Sequence, residues 1–334
     1  MNARRTTVLS LLAAATLVLG ACGTPGSGGG EADAEVSSSS GLATCDPVAG
    51  DKLVVLEDDK GLQNADNIIP AVNKAAADAN PAILEVLDKV SAALDTDKLI
   101  ELNKAVDIDR QTSSEVGGKF VTDEGITADD PASGAGTSLT VGAANFSESA
   151  TLAEIYAAAL RTAGFTVEVR TIGNRELYLP QITDGTLTAV PEYAATLADF
   201  LNAQKNGADA ESVASDDVDA TVTALTPLAE AAGITVGKPS DAQDQNAFAV
   251  TEAFAKEHDV ATLSELAAAC GGLVLAGPAE CPDRPFCQPG LEETYGLEFG
   301  EFKSYDFGLI GQAVRKGDAA IGLVLSSDGS LAAD

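Results

Sequence analysis

His258 and Asp259 are the nearest this sequence comes to an acid–base pair, and His258 is its one histidine. They sit together in the charged run Ala255-Lys256-Glu257-His258-Asp259. Adjacent residues cannot orient a serine nucleophile, because triad partners converge from separate loops. No HExxH, GxSxG or GxxxxGK[ST] accompanies them. With 51 acidic residues, carboxylate pairs arise from composition alone. Asp58-Asp59 follows an apolar run and reads as a solvated strand-end loop. Of the five cysteines, none forms a CxxC, so a zinc site has no spacing to support it. Cys45, Cys270, Cys281 and Cys287 form an even set, as in exported proteins, with three possible pairings. Cys281 and Cys287 bracket a short proline-containing loop and are the first choice for a disulfide; Cys45 with Cys270 follows by elimination. Neither catalysis, a cofactor nor a metal is expected.

The charge balance is lopsided in the same direction throughout the chain. A formal net charge of −31 repels nucleic acid and anionic lipid, and it keeps a surface protein soluble. The 45% of apolar residues is ample for one or two cores. Residues 1–22 read as a lipoprotein signal peptide. Arg4 and Arg5 precede the apolar run Val8 to Leu19, and Leu19-Gly20-Ala21-Cys22 has the form of a lipobox. That run is short for a membrane span. Cys22 is therefore the expected lipidation site, giving a body held on the extracytoplasmic face of the cell membrane. Residues 23–44 are glycine, serine and acid, a flexible linker reaching roughly 25 Å.

The elements that would position a site are clearest from Val141 to Leu197. Leu139 to Gly142 is a short apolar strand. The helix after it carries Leu152, Ile155, Tyr156, Ala159 and Leu160 on one face and ends at Gly164. Val167 and Val169 alternate with Glu168 and Arg170 in a second strand, Arg175 to Thr183 forms a helix, and Leu187 to Val190 a third strand. This is βαβαβ, hence a parallel sheet in an α/β fold. Ligands of such sheets sit at the carboxyl ends of strands, here Ala143-Ala144-Asn145-Phe146-Ser147 and Pro191-Glu192-Tyr193.

The small-residue strand end followed by Asn145-Phe146-Ser147-Glu148, with Pro191-Glu192-Tyr193-x-x-Thr196 closing the segment, resembles the osmoprotectant (quaternary-amine) substrate-binding proteins of ABC importers. The resemblance implies a two-lobed fold of the periplasmic-binding-protein type (type II) with a hinged cleft. It also implies an unusual chain order. Leu53 to Asn73 and the helices ending in Leu102-Asn103-Lys104-Ala105-Val106-Asp107 resemble the end of ordinary members, which there follows a segment like Gly322 to Ala333. The sequence thus looks circularly permuted: residues 45–126 would be the permuted end of lobe one, 127–138 a linker, 139–240 the rest of lobe one, 241–325 lobe two and 326–334 the return. In this block helices are expected near Ala71 to Asp78, from Pro81 to Leu94, around Leu99 to Val106 and around Val116 to Val121. Leu53 to Leu56 is expected in lobe one's sheet. The chain would cross between lobes twice, at residues 238–246 and at Ser326 to Gly329.

The resemblance also implies a ligand and its contacts. A trimethylammonium group donates no strong hydrogen bond and is held by aromatic faces. Tyr193 and Thr196 match the family's tyrosine and threonine, Phe248 stands where a crossing-segment tyrosine is usual, and Tyr305 with Phe307 would add a wall. Asn145, Phe146, Ser147 and Asn246 complete the expected ligand-binding set, and Arg284 resembles an arginine that pairs with betaine carboxylates. Ala144 departs from the pattern, since many members place lysine there. The expected protein is a monomeric solute-binding component that hands glycine betaine, choline or a similar amine to permease subunits, and binds no nucleic acid. The alternatives are a binding protein for another small polar solute and a secreted enzyme on the same lobes.

Overall fold

The computed structural model describes residues 42–207 and 210–332. The signal peptide with Cys22, residues 23–41 of the linker and Asp334 lie outside the described residues. Among the described residues, no helix is long and apolar enough to cross a membrane.

Among the described residues, ten strands form two sheets. In chain order they are β1 (Leu53–Leu56), β2 (Ile68–Asn73), β3 (Ser138–Ala144), β4 (Thr166–Gly173), β5 (Ala189–Tyr193), β6 (Ile234–Val236), β7 (Asn246–Thr251), β8 (Leu273–Gly277), β9 (Phe299–Ser304) and β10 (Ile321–Leu325). One sheet runs β4-β3-β5-β2-β6, the other β1-β7-β10-β8-β9. The first holds the βαβαβ unit: β3 pairs parallel with both β4 and β5, and the helices between them span Ser147–Thr162 and Arg175–Thr183. The apolar stripe of the first helix, with Leu152, Ile155, Tyr156 and Leu160, is fully buried.

Two expectations about the N-terminal block are corrected. β1 does not join the first sheet; it pairs antiparallel with β7 at the edge of the second. A four-residue apolar strand announces burial, whereas its sheet is decided by contacts hundreds of residues away. The helix expected over Ala71 to Asp78 begins only at Lys74, because Ile68–Asn73 is a strand buried along its whole length. β2 lies between β5 and β6, antiparallel to both, with Pro70 facing Pro191. The Asn73 side chain then accepts from the Ala76 N–H and starts the helix. The helices Ala82–Ala93, Thr96–Asp107 and Ser113–Asp123 follow where the apolar spacing puts them.

Consequently the chain passes between the sheets at three places, not two: between β1 and β2, between β6 and β7, and after β10. These passages are laced together. The Gln245 N–H donates to Ser326 Oγ (3.0 Å), the Ser326 N–H to the Gln245 carbonyl (2.8 Å), and the Asp244 N–H to the Asp66 carbonyl (3.1 Å). Beyond β10 the chain returns to the first lobe, where the Asn103 amide donates to the Ser327 carbonyl (2.8 Å). Gly329 packs so closely on helix Thr96–Asp107 that a Cβ there would lie 2.5 Å from the Lys104 nitrogen.

The structure pairs Cys45 with Cys270 and Cys281 with Cys287. The first ties the start of the described chain to the helix Leu263–Ala269, which opens with the capping box Thr262/Glu265. The helix Val218–Ala231 runs on through Pro227.

Candidate functional site

A cavity of about 650 Å³ opens where the three passages meet. Gln63, Asn64 and Asp66 line it from the first passage, Asp244, Gln245 and Asn246 from the second, and Leu325 from the end of β10. Phe146, Arg175, Tyr193, Thr196 and Phe200 form the wall supplied by the first sheet and its helices; Phe286 reaches in from the other lobe. A second cavity of about 490 Å³ adjoins it, sharing Phe146, Asp244 and Leu325 and adding Asn103, Ser147 and Glu148.

The first-sheet wall is built on two strand ends. β3 stops at Ala144, whose N–H donates to Ser149 Oγ (2.9 Å), and the chain turns so that Phe146 is 43% exposed at the helix start. β5 stops at Tyr193, which is 8% exposed. The two rings stand 6.2 Å apart, tilted by 30°. The Tyr193 hydroxyl donates to Glu148 Oε1 (2.6 Å), and Glu148 Oε2 accepts from the Asn103 amide (2.6 Å). Burial first, then the Glu148 charge, pushes the tyrosine well above its ordinary pKa, so it stays a donor.

One residue earlier, Glu192 is buried and paired with Arg175, whose Nη2 lies 2.7 Å from Oε2 and whose Nε lies 3.0 Å from Oε1. The Tyr178 hydroxyl also donates to Glu192 (2.8 Å). Arg175 donates further to Thr196 Oγ1 (2.8 Å) and stands 5.8 Å from the Phe200 ring centroid. The first free N–H groups of the helix Ala194–Asn206 are taken by Asp66 Oδ1, at 2.9 Å from Ala195 N and 3.1 Å from Thr196 N. Burial pushes Asp66 up to about 7 against those hydrogen bonds. Asp244, hydrogen-bonded by Ser327 Oγ (2.8 Å), is pushed up to about 8 by burial and by Glu148 beside it. Desolvation outweighs the stabilising contacts in both.

Of the residues expected at the site, the structure brings Phe146, Tyr193, Thr196 and Asn246 to the larger cavity and Ser147 to the smaller. Asn145 is exposed beside them but lines neither. Phe248 is not brought to the cleft: at 1% exposure it is packed in the second lobe's core, on the face of β7 shared with Val250. Arg284 is exposed on the loop closed by the Cys281–Cys287 disulfide, and it is Phe286 from that loop that enters, its carbonyl held by the Gln63 amide (3.0 Å). Tyr305 and Phe307 border a separate cavity with Pro278 and Glu280, and Phe307 also reaches the smaller of the two adjoining ones.

Sequence reasoning missed Asp66, Glu148, Arg175, Phe200, Asp244 and Phe286 as site residues. Glu148 and Glu192 were inside the quoted motifs and carried a signal. Asp66 and Asp244 lie in turn-rich passages with no local one. His258 lies against Phe254 and Cys45 in the second lobe, with ring centroids 4.4 Å apart and its Nδ1 3.5 Å from the sulfur. Among the described residues, Cys45, His258 and Cys270 are the one group close enough to hold a metal, and the disulfide takes both thiolates.

Residues 46–123 and 137–334 match the substrate-binding domain of ABC-type glycine betaine transport systems. Similar solved structures include a glycine betaine/carnitine/choline ABC transporter protein, 20% identical over 59% of this chain and 70% of its own (TM-score 0.44). YehZ from Escherichia coli is 21% identical over 59% and 72% (TM-score 0.49). NikA from Brucella suis is 14% identical over 60% and 48% (TM-score 0.30).

Proposed function

Since the chain belongs to the substrate-binding-domain family of ABC-type glycine betaine transport systems, a family of solute binders and not of enzymes, we propose that it captures a small quaternary amine for an importer. The ligand lies in the cavity between the lobes. The observation that carries this reading is the pair of rings, Phe146 and Tyr193, on a cavity lined by Asp66 and Asp244, whose one basic side chain among the described residues, Arg175, is paired with Glu192. A trimethylammonium group gains about 0.5 to 2 kcal/mol per ring from such faces and needs no hydrogen-bond donor. Cys22 anchors the protein on the extracytoplasmic face, and permease subunits receive the ligand.

Calorimetric titration of the oxidised protein with trimethylammonium solutes tests this. Binding is expected for at least one, and Tyr193→Ala is expected to abolish it. Heat from an uncharged sugar with none from any quaternary amine would leave the importer reading and remove the ligand.

The chain order is read as permuted. Three observations support that: the family match falls in two blocks that leave residues 124–136 out, β2 lies inside the sheet of the βαβαβ unit, and the segment after β10 packs on helix Thr96–Asp107. On this reading lobe one comprises roughly residues 66–126, 139–240 and 326–332, and lobe two 241–325 together with residues 45–62, which carry β1 and pack in the second lobe's core. A chain rearranged to begin at residue 137 and end at residue 125, with a short glycine-serine link replacing the old termini, is expected to fold and keep its affinity. Failure of that chain to fold would count against permutation.

A further inference from the structure

The two ends of a zwitterionic osmolyte make opposite demands on a site, and this cavity meets only one of them. We propose that it selects a cation bearing no carboxylate over a zwitterion that bears one. The inference rests on the quaternary-amine reading and narrows it.

A ligand carboxylate beside the rings would need a free cation. Among the described residues Arg175 is the one basic side chain lining this cavity, and its Nε and Nη2 are already engaged by Glu192, with Thr196 Oγ1 as a further acceptor. Arg315 lines the adjoining cavity, where its Nε and Nη2 donate to the Asp51 and Ser330 carbonyls. Arg284, whose sequence context resembles a betaine-pairing arginine, lines neither cavity. Ala144, at the end of β3, offers no long or charged side chain.

The other ordinary seat for a carboxylate is a helix N-terminus. The helix Ala194–Asn206 gives its N–H groups at Ala195 and Thr196 to Asp66, so the protein's own carboxylate fills that seat. At the helix Ser147–Thr162, the Ser147 hydroxyl donates to Asp107 (3.1 Å) and Glu148 stands in the first turn. An incoming anion would meet carboxylates at both helix starts.

A cation meets the reverse. Asp66 and Asp244 line the cavity, and Glu148 and Glu192 stand directly behind Tyr193 and Arg175. Burial, and then repulsion among these groups, hold Asp66 and Asp244 partly protonated near neutral pH; the charge of a trimethylammonium against the rings would counter the repulsion and favour their ionised forms. A separate observation points the same way. Asn103, 5% exposed and lining the adjoining cavity, donates through Nδ2 to Glu148 and Ser327 while its Oδ1 has no partner. The unpaired atom is an acceptor, suited to a ligand hydroxyl and of no use to a carboxylate.

Choline and glycine betaine share the trimethylammonium head and differ in carrying a hydroxyl or a carboxylate. Titrating the oxidised wild-type protein with each at pH 8 is expected to give at least tenfold tighter binding of choline. The preference should shrink several-fold at pH 5.5, and in Asp66→Asn and Asp244→Asn at pH 8, with folding of each variant checked by its melting curve. Because the ratio is read within one protein preparation, a variant that fails to fold leaves the test intact. Glycine betaine binding as tightly as choline at pH 8 would overturn the inference while leaving the quaternary-amine reading standing. Binding of neither would remove that reading and the inference with it.

Discussion

The two lobes face the same cleft with unequal chemistry. From the first sheet come Phe146, Tyr193, Arg175, Thr196 and Phe200, several of them fixed by hydrogen bonds to buried carboxylates. From the second lobe come Asn246 and Leu325 at the ends of β7 and β10 and, among the described residues, a single ring, Phe286, 41% exposed on a disulfide-closed loop. Of the other aromatics expected there, Phe248 is in the core and Tyr305 on another cavity, while Phe307 reaches only the smaller adjoining one. A polar network that satisfies its own members holds side chains in place before a ligand arrives, which lowers the ordering cost of binding. The first lobe is therefore the preorganised half, and the second adds apolar cover. The predictions below break or sharpen that contrast, beginning with the largest effect.

Carboxyl groups raised by burial make the first-lobe side of the cleft pH-sensitive in a defined direction. The stability tied to such a group is present in full below its unfolded value near 3.8 and is lost as pH rises through the folded value, about 7 for Asp66 and about 8 for Asp244. Asp66 alone accounts for on the order of 4 kcal/mol across that window. The unliganded protein should melt lower at pH 8.5 than at pH 5, and Asp66→Asn and Asp244→Asn should each flatten the profile. A melting temperature that rises steadily from pH 5 to pH 8.5 would contradict the buried acid pair.

Next in size is the Arg175–Glu192 pair. Glu192 has no exposed side-chain surface and Arg175 only 19%. Removing one partner leaves the other charge uncompensated, so Glu192→Ala should destabilise the fold by about 3 to 5 kcal/mol in urea denaturation and release the Tyr178 hydroxyl as well. A loss below about 1 kcal/mol would show that the first-lobe network is not what fixes the wall.

How much of this could be read from the chain follows the range of the interactions. The βαβαβ unit is a local pattern and its helices stand where periodicity places them, although its third strand begins two residues into the apolar run and extends to Tyr193. β2 was hidden because Pro70 weighs against a central strand and Ala71 to Asp78 carries helix-forming alanines. Its strand character comes from being covered on both sides by β5 and β6, a long-range fact. Tyr193 was legible through the motif around it, whereas Asp66 acquires its role only when its passage is folded against the helix at Ala194. Phe248 misled for a related reason: a strand alternates faces, and the sequence of β7 does not say which face meets the cleft.

Phe248 and Tyr193 then make a direct test of core against cleft. Phe248→Leu should cost about 1 to 2 kcal/mol of stability through imperfect packing and leave ligand affinity unchanged. A large loss of affinity in a folded Phe248→Leu protein would return that ring to the cleft and narrow the difference between the lobes.

The smallest effect concerns the two most comparable rings. Phe286 and Phe146 are about equally exposed, at 41% and 43%, so surface area alone would give them equal weight. Their surroundings differ. Phe146 stands 6.2 Å from Tyr193 at a helix start and borders both cavities, whereas Phe286 is tied to the other lobe mainly through its carbonyl and the Gln63 amide. A ring at a solvated site contributes about 0.5 to 1 kcal/mol to a cation, and more where solvent is excluded. Phe286→Ala should therefore weaken quaternary-amine binding by about two- to fivefold, chiefly through faster dissociation as the cover is removed. Phe146→Ala should cost tenfold or more, since it also strips the face from Tyr193. Calorimetry with stopped-flow dissociation on both variants decides it: equal losses would mean that the lobes share the ligand evenly and that the preorganised half holds no advantage.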